Sequence, residues 1–483
     1  MLHLRTIAKL FLATMLTLIF ALYLFPNQAQ AATCTWTGAV DADWSNTGNW
    51  SNCGGSIPGS GDAVIIADVT NAPVIDSTAA VSIKDLDMTA RETLGVEGTL
   101  VVTGTLTLSN GTLTGGGAVT VTEVMTWTGG TMSGSGVTYI AAGATLNLST
   151  DTTITLNERT LNNAGTINWT GSSSYNWGIG SGATLNNLSG ALIHSQTDAN
   201  LSGSGTFNNQ GTFRKSTGGG SPQVIYAQNF SSSGTFEVWS GTTLGLWTSN
   251  GNVSGAFIIS PTATLQFSYG TYTFNPTAAI TGSGNVILNT GATVNINGDF
   301  TAFTAIRGGT VNFNPGANVT LLGDTLSINK GTADFSTGTG YTLSTLTLEN
   351  TQTTLTGSDP ITVTGVMTWT GGTMSGSGVT YIAAGATLNV TNNAGSISLS
   401  ERTLNNAGTI NWTSSGSYGW AISGGATFNN LSGALIYNQG NTSLSYSPGG
   451  SFNNQGTYRQ SLGDVVIGTP DFSNSGTFEL WSG

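Results

Sequence analysis

The residues in this sequence able to do chemistry are few enough to take in turn. The densest acidic set is Asp41, Asp43, Asp62, Asp68, Asp76, Asp85 and Asp87. In Asp85-Leu86-Asp87 two carboxylates stand two residues apart, on one face of a strand. Such a pair is a candidate calcium or catalytic site, since a glycosidase needs two carboxylates facing each other across a cleft. The competing reading is a solvated edge that discourages end-to-end stacking. Glu158-Arg159 returns as Glu401-Arg402 and reads as a local ion pair at a corner of the chain rather than a duplicated catalytic acid. His194 has Tyr437 at the matching place of a second copy, which argues against a triad built on it. Cys34 and Cys53 lack the nearby His or acidic cluster that would complete a zinc shell, so they read as one disulfide. In SGTFEVWSG, Phe236 and Val238 should point inward, which turns Glu237 and Trp239 outward; Glu479 and Trp481 do the same near the end of the chain. An outward tryptophan beside a carboxylate could stack on a sugar ring, against the plainer reading that it covers neighbouring chain. None of these residues calls for a cofactor.

Composition narrows the classes further. Of 483 residues only 7% are charged, with a net charge of −12, against the ~25% usual in soluble globular proteins. Eleven Lys+Arg against 23 Asp+Glu leave no electrostatic footprint for nucleic acid. Hydrophobic residues make up 38% and recur in a pattern, which excludes a disordered chain. At the start, Arg5 and Lys9 precede an apolar run from Leu10 to Phe25, followed by Ala29-Gln30-Ala31. This is the pattern of a secretory signal peptide over residues 1–31, cut after Ala31, with an uncleaved anchor as the alternative. It predicts export to the medium or the cell surface, where the Cys34–Cys53 bridge would persist. Contact with a membrane is then expected only through the leader or an anchor beyond Gly483.

The chain also repeats itself. VMTWTGGTMSGSGVTYIAAGATLN at Val124–Asn147 returns unchanged at Val366–Asn389, ERTLNNAGTINWT at Glu158 returns at Glu401, and SGTFEVWSG at Ser233 returns as SGTFELWSG at Ser475. A long unit runs from near Thr105 to Ser344, and a second copy breaks off in mid-pattern at Gly483, as a piece of a longer gene product would. Within the unit a shorter period of about 23 residues recurs, led by Leu161, Leu185, Phe207 and Phe230, then by Leu404, Phe428, Phe452 and Phe472. The organisation expected is a leader over 1–31, a Trp-rich cap with first turns over 32–82, a β-helix over 83–344 holding the first long unit, and the second unit over 345–483.

Segments such as Thr166–Thr170 alternate apolar and polar residues and are rich in Thr, Ile and Trp, the signature of half-buried strands. Asn-Asn, Ser-Gly and Ala-Gly between them suit tight corners. A turn of this size cannot bury its apolar face alone, but stacking turns at ~4.8 Å builds one core, with equivalent Asn side chains hydrogen-bonding along the stack. Roughly 17 turns and a rod on the order of 80 Å follow from the length, with an antiparallel propeller as the alternative. The opening W-x-G…W…N-W…P-G…G-D-x-V-x-I and the units RTLNNAGTINWT and FNNQGTFRKS resemble large secreted bacterial surface proteins with hemagglutinin- or autotransporter-passenger-like arrays. The resemblance implies an all-β, right-handed parallel β-helix (a solenoid) with a small disulfide-closed N-terminal cap, and a non-enzymatic adhesin-like role with surface glycans or other cells as partners. The alternative on the same fold is a polysaccharide lyase or hydrolase, or a carbohydrate-binding rod.

Overall fold

The computed structural model describes residues 31–218, 221–391, 395–413, 418–445, 449–462, 466–469 and 471–481. The leader assignment therefore lies, save for Ala31, outside the described residues. Each turn of chain consists of three short strands separated by corners. In one turn these are Val137–Ile140, Thr145–Ser149 and Ile154–Leu156. They pair in parallel with Thr160–Asn163, Thr166–Thr170 and Trp177–Ile179 of the next turn. Repeated along the chain, this makes three parallel sheets wound into a β-solenoid of about 19 turns.

The period-2 pattern produces this directly. In Thr166–Thr170 the buried residues are Ile167 and Trp169, while Thr166 and Asn168 face out. Every turn contributes its inward residues to one continuous core. Leu161, Leu185, Phe207 and Phe230 stand in register as a column, and Leu404, Phe428, Phe452 and Phe472 repeat it. Inside the rod Trp177 lies edge-on to Trp169 and Trp127, with centroids 5.3 and 6.2 Å away; Trp420 does the same with Trp412 and Trp369.

The turns are not all of one length. Adjacent equivalents are 23 residues apart at Asn208 and Ser231, 19 at Thr114 and Ser133, and 17 at Asn295 and Asn312. Shorter corners account for the extra turns beyond the length-based expectation. From Gln223 onward several strands run unbroken round a corner, as in Gln223–Ser232, Thr243–Val253 and Thr264–Phe274. At the N-terminal end Thr33–Trp36 pairs antiparallel with Trp50–Ser51 and parallel with Ala63–Ile66. The Cys34–Cys53 disulfide is formed there. Trp50 packs edge-on against Trp44 and Trp36, at 4.7 and 5.0 Å.

Two polar devices that recur in both long repeats are buried in this core. Among the described residues the second Asn of each Asn-Asn pair points inward: Asn163 donates to the Asn187 amide oxygen at 2.8 Å and Asn187 to that of Asn209 at 2.7 Å. The spare N–H of Asn163 goes to the Leu192 carbonyl, and its oxygen accepts from Gly165 N–H, so the amide is satisfied. Asn406, Asn430 and Asn454 repeat the column.

The other device corrects the expected Glu158–Arg159 and Glu401–Arg402 ion pairs. Glu158 occupies a left-handed corner (φ 59°), while Arg159 turns into the rod and is fully buried. Its Nε donates to Thr138 Oγ1, Nη1 to the carbonyls of Gly115 and Ser133, and Nη2 to those of Gly117 and Val137, at 2.8–3.3 Å. All five guanidinium donors are used, and three turns are tied together. Arg402 makes the equivalent bonds to Thr380, Gly357, Ser375, Asp359 and Val379. Burial lowers both to about 10, so they remain charged at neutral pH. Gly136 and Gly378 make room: a Cβ there would stand 2.9 and 2.8 Å from Arg Nη1. Arg159→Met should therefore leave four carbonyls without this donor and speed amide exchange in Val137–Ile140 and Thr160–Asn163 at least about tenfold, read by hydrogen–deuterium exchange. Unchanged protection would contradict the tie.

Candidate functional site

Outward residues of successive turns also form columns. Asn168, His194, Arg214, Glu237 and Ile258 are in register on one face. Glu237 and Trp239 do lie outside the rod, with Phe236 and Val238 fully buried. Arg214 Nε is 2.6 Å from Glu237 Oε2, and the guanidinium sits 4.9 Å over the Trp239 ring. Trp239 Nε1 donates to the same carboxylate oxygen at 3.4 Å. The second copy repeats the trio: Arg459 pairs with Glu479 at 2.6 Å and lies 4.4 Å over Trp481. Each tryptophan thus offers a ligand the face away from its arginine, and each carboxylate is already neutralised. A partly exposed surface ion pair of this kind contributes ~0–1 kcal/mol.

His194 Nε2 lies 2.7 Å from Ser216 Oγ, the juxtaposition of a base and a nucleophile. Burial first, and then Arg214, lower the imidazole below its ordinary value against the pull of Glu237, so it is neutral at pH 7. Glu237 is committed to Arg214 and Trp239, and orients no imidazole. Lys215, fully buried, pairs with Asp198 at 2.8 Å. Gln460 stands at the matching place and donates to the Gly440 carbonyl instead. A neutral amide takes the position in the second copy, with its Oε1 left without a hydrogen bond among the described residues, so the ion pair itself is not repeated.

Asp85 and Asp87 share the outer side of Asp85–Met88. Asp85 Oδ1 accepts from Thr105 N–H of the next turn at 2.7 Å. Asp87 instead neighbours Glu92, a residue 5% exposed whose carboxylate receives no hydrogen bond from another residue. Among the described residues no group of three or more His, Cys, Asp or Glu is arranged to hold a metal ion.

Four clefts gather polar groups. One of about 350 Å³ at the N-terminal end is lined by Asp43, Asp76 and Ile57. Each of its carboxylates caps its own turn, accepting from Ser45 and Thr78 respectively. A second, of about 420 Å³, brings Glu349 together with Arg307 and Lys330. The other two lie along the long strands 223–232, 243–253 and 264–274. There Tyr226, Trp247 and Tyr269 form an outward aromatic row that the sequence reading missed. The parity rule that turned Trp239 outward applies equally to Trp247, which follows the inward Leu244 and Leu246.

Fold and surface together define a long parallel β-solenoid with a disulfide-linked first turn and sparse charge, in which Arg214–Glu237, Lys215–Asp198 and Arg459–Glu479 form ion pairs. A family model described as a domain of unknown function (DUF8693) matches residues 35–124, the tryptophan-rich start and the first turns. No curated protein and no solved structure matches the chain.

Burial, with repulsion from Asp68 and Asp87, raises the Glu92 carboxyl above its ordinary value. The folded state therefore holds a proton that the unfolded chain releases near pH 4.5. Stability contributed by protonated Glu92 is complete below that value and is lost as pH rises through the raised pKa. Glu92→Gln should raise the midpoint of denaturant unfolding at pH 7 and leave it unchanged at pH 4. A midpoint lowered at pH 7 would show that the carboxylate has a partner.

Proposed function

We propose that the chain is a non-enzymatic, exported surface protein, an adhesin-like rod whose purpose is length, stiffness and a weakly charged outer face. The carrying observation is what the long repeat duplicates. Arg159 and Arg402, the two inward Asn columns and the two buried tryptophan triplets recur at matching places, and all of them join one turn to the next. By contrast His194 beside Ser216 is replaced by Tyr437. Duplication of this kind extends a scaffold. The outer Arg–Glu–Trp trio, also repeated, gives the rod a recurring surface feature suited to contact with glycans or other cells. The N-terminal piece, with its bridge and three packed tryptophans, supports the reading as a cover for the first open edge.

A second reading, polysaccharide processing, has one observation in its favour: Glu349, Arg307 and Lys330 line the same cleft. It predicts that acidic polysaccharide is depolymerised by the full chain and that Glu349→Gln abolishes this. Product formation that Glu349→Gln leaves intact, or none at all, removes the reading.

The surface role is tested by expressing the chain with its leader and treating intact cells with protease. The account expects a mature N-terminus at Ala32 in protease-accessible or released material, and small-angle scattering from a rod about 90 Å or more in length. Intracellular retention of chain beginning at Met1 would contradict it.

A further inference from the structure

The three long strands 223–232, 243–253 and 264–274 carry a row of outward rings round one corner of the rod. Tyr226, Trp247 and Tyr269 are in register over three successive turns. Their ring centroids are 5.4 and 5.8 Å apart and their planes tilt by 38° and 32°, so they form a continuous strip along the rod axis. Trp247 is 45% and Tyr269 49% exposed. The register is irregular at this point: Leu246 faces Phe267, but Trp247 faces Tyr269, leaving Ser268 as the extra residue. Bulges re-aim side chains, and here the bulge puts a ring rather than a hydroxyl beside Trp247.

Round the same corner lies a cleft of about 440 Å³, with Phe230 and Gly251 in its wall and Asn229, Asn250 and Thr271 along it. Gly251 is required there, because a Cβ would fall 2.5 Å from the Tyr272 ring. Elsewhere outward asparagines bond to one another: Asn186 donates to Asn162 and Asn208 to Asn186. Asn229 and Asn250 are in register too, yet their side-chain amides hydrogen-bond no group among the described residues, and both are exposed. Neither hollow is lined by a charged side chain.

We propose that this corner binds an uncharged polysaccharide chain lying along the rod axis. The aromatic strip stacks on the apolar faces of consecutive sugar rings, and the free amides of Asn229 and Asn250 exchange hydrogen bonds with their hydroxyls. Flat π-surfaces beside unsaturated donors and acceptors are what a polyhydroxylated ring requires. The uncharged lining selects against anionic polymers and membranes, which need Lys and Arg. The site is distinct from the Arg214–Glu237–Trp239 trio and does not depend on where the rod is displayed.

The test is affinity electrophoresis of the full chain through gels containing hydroxyethylcellulose or glucomannan, with polygalacturonate as the anionic polymer. A neutral polymer should retard the chain. Trp247→Ala and Tyr269→Ala should each weaken retardation about tenfold with the thermal midpoint unchanged. Tyr175→Ala, an exposed ring outside the strip, should change nothing. The proposal is overturned if neither neutral polymer retards the chain, if Trp247→Ala binds as well as the parent, or if polygalacturonate retards it equally. It is also overturned if sedimentation shows Trp247→Ala abolishing self-association of a chain that binds neither neutral polymer, which would assign the strip to a second copy.

Discussion

The structure depends on register between successive turns. A parallel backbone ladder is nearly indifferent to a slip along the strand, since its hydrogen bonds are evenly spaced. Side chains are not, because a one-residue slip exchanges the inner and outer faces. Here the slip would also strand buried polar groups. Asn187 is bonded to Asn163, Asn209 and the Thr212 carbonyl, and each orphaned amide group would cost about 1–3 kcal/mol. The columns of Leu and Phe supply the burial, and the columns of Asn specify which turn sits on which.

Arg159 and Arg402 extend the same logic over three turns. A buried guanidinium is usually expected beside a carboxylate, yet here its five donors end on four carbonyls and a threonine hydroxyl. The corners supply those carbonyls at a spacing set by the ladder. Charge-assisted bonds to neutral acceptors can then hold an ion whose transfer from water would otherwise be prohibitive.

Much of this fold is legible in the residues because one period governs it. The alternation in Thr166–Thr170, the Asn-Asn doublets and the recurrence of Leu161, Leu185 and Phe207 lead to the stack, and the pairing of Cys34 with Cys53 follows from their isolation. The place of Arg159 is not legible in this way: neighbouring opposite charges suggest a local pair, and nothing local shows that carbonyls from turns far back in the sequence converge on it. The repeated stretches show turns of about 23 residues, whereas the run from Asn295 to Asn312 uses shorter corners. On the surface, the outward parity of Trp239 and Trp481 was readable, but the arginine covering each ring comes from the preceding turn. Parity turns Trp247 outward as it does Trp239, but the bulge that brings Tyr269 beside it is announced by no alternation pattern.

Paired cysteines on the outer Asn column test the stacking most directly. Asn162 and Asn186 face each other on adjacent turns, and Asn208 is one turn further. Adjacent strands stand ~4.8 Å apart, within disulfide reach, and strands two turns apart stand beyond it. Under mild oxidation, Asn162→Cys with Asn186→Cys should close an intramolecular bridge seen by mass spectrometry, while Asn162→Cys with Asn208→Cys should stay reduced. Bridging in the second pair but not the first would contradict the arrangement of turns on which everything above rests.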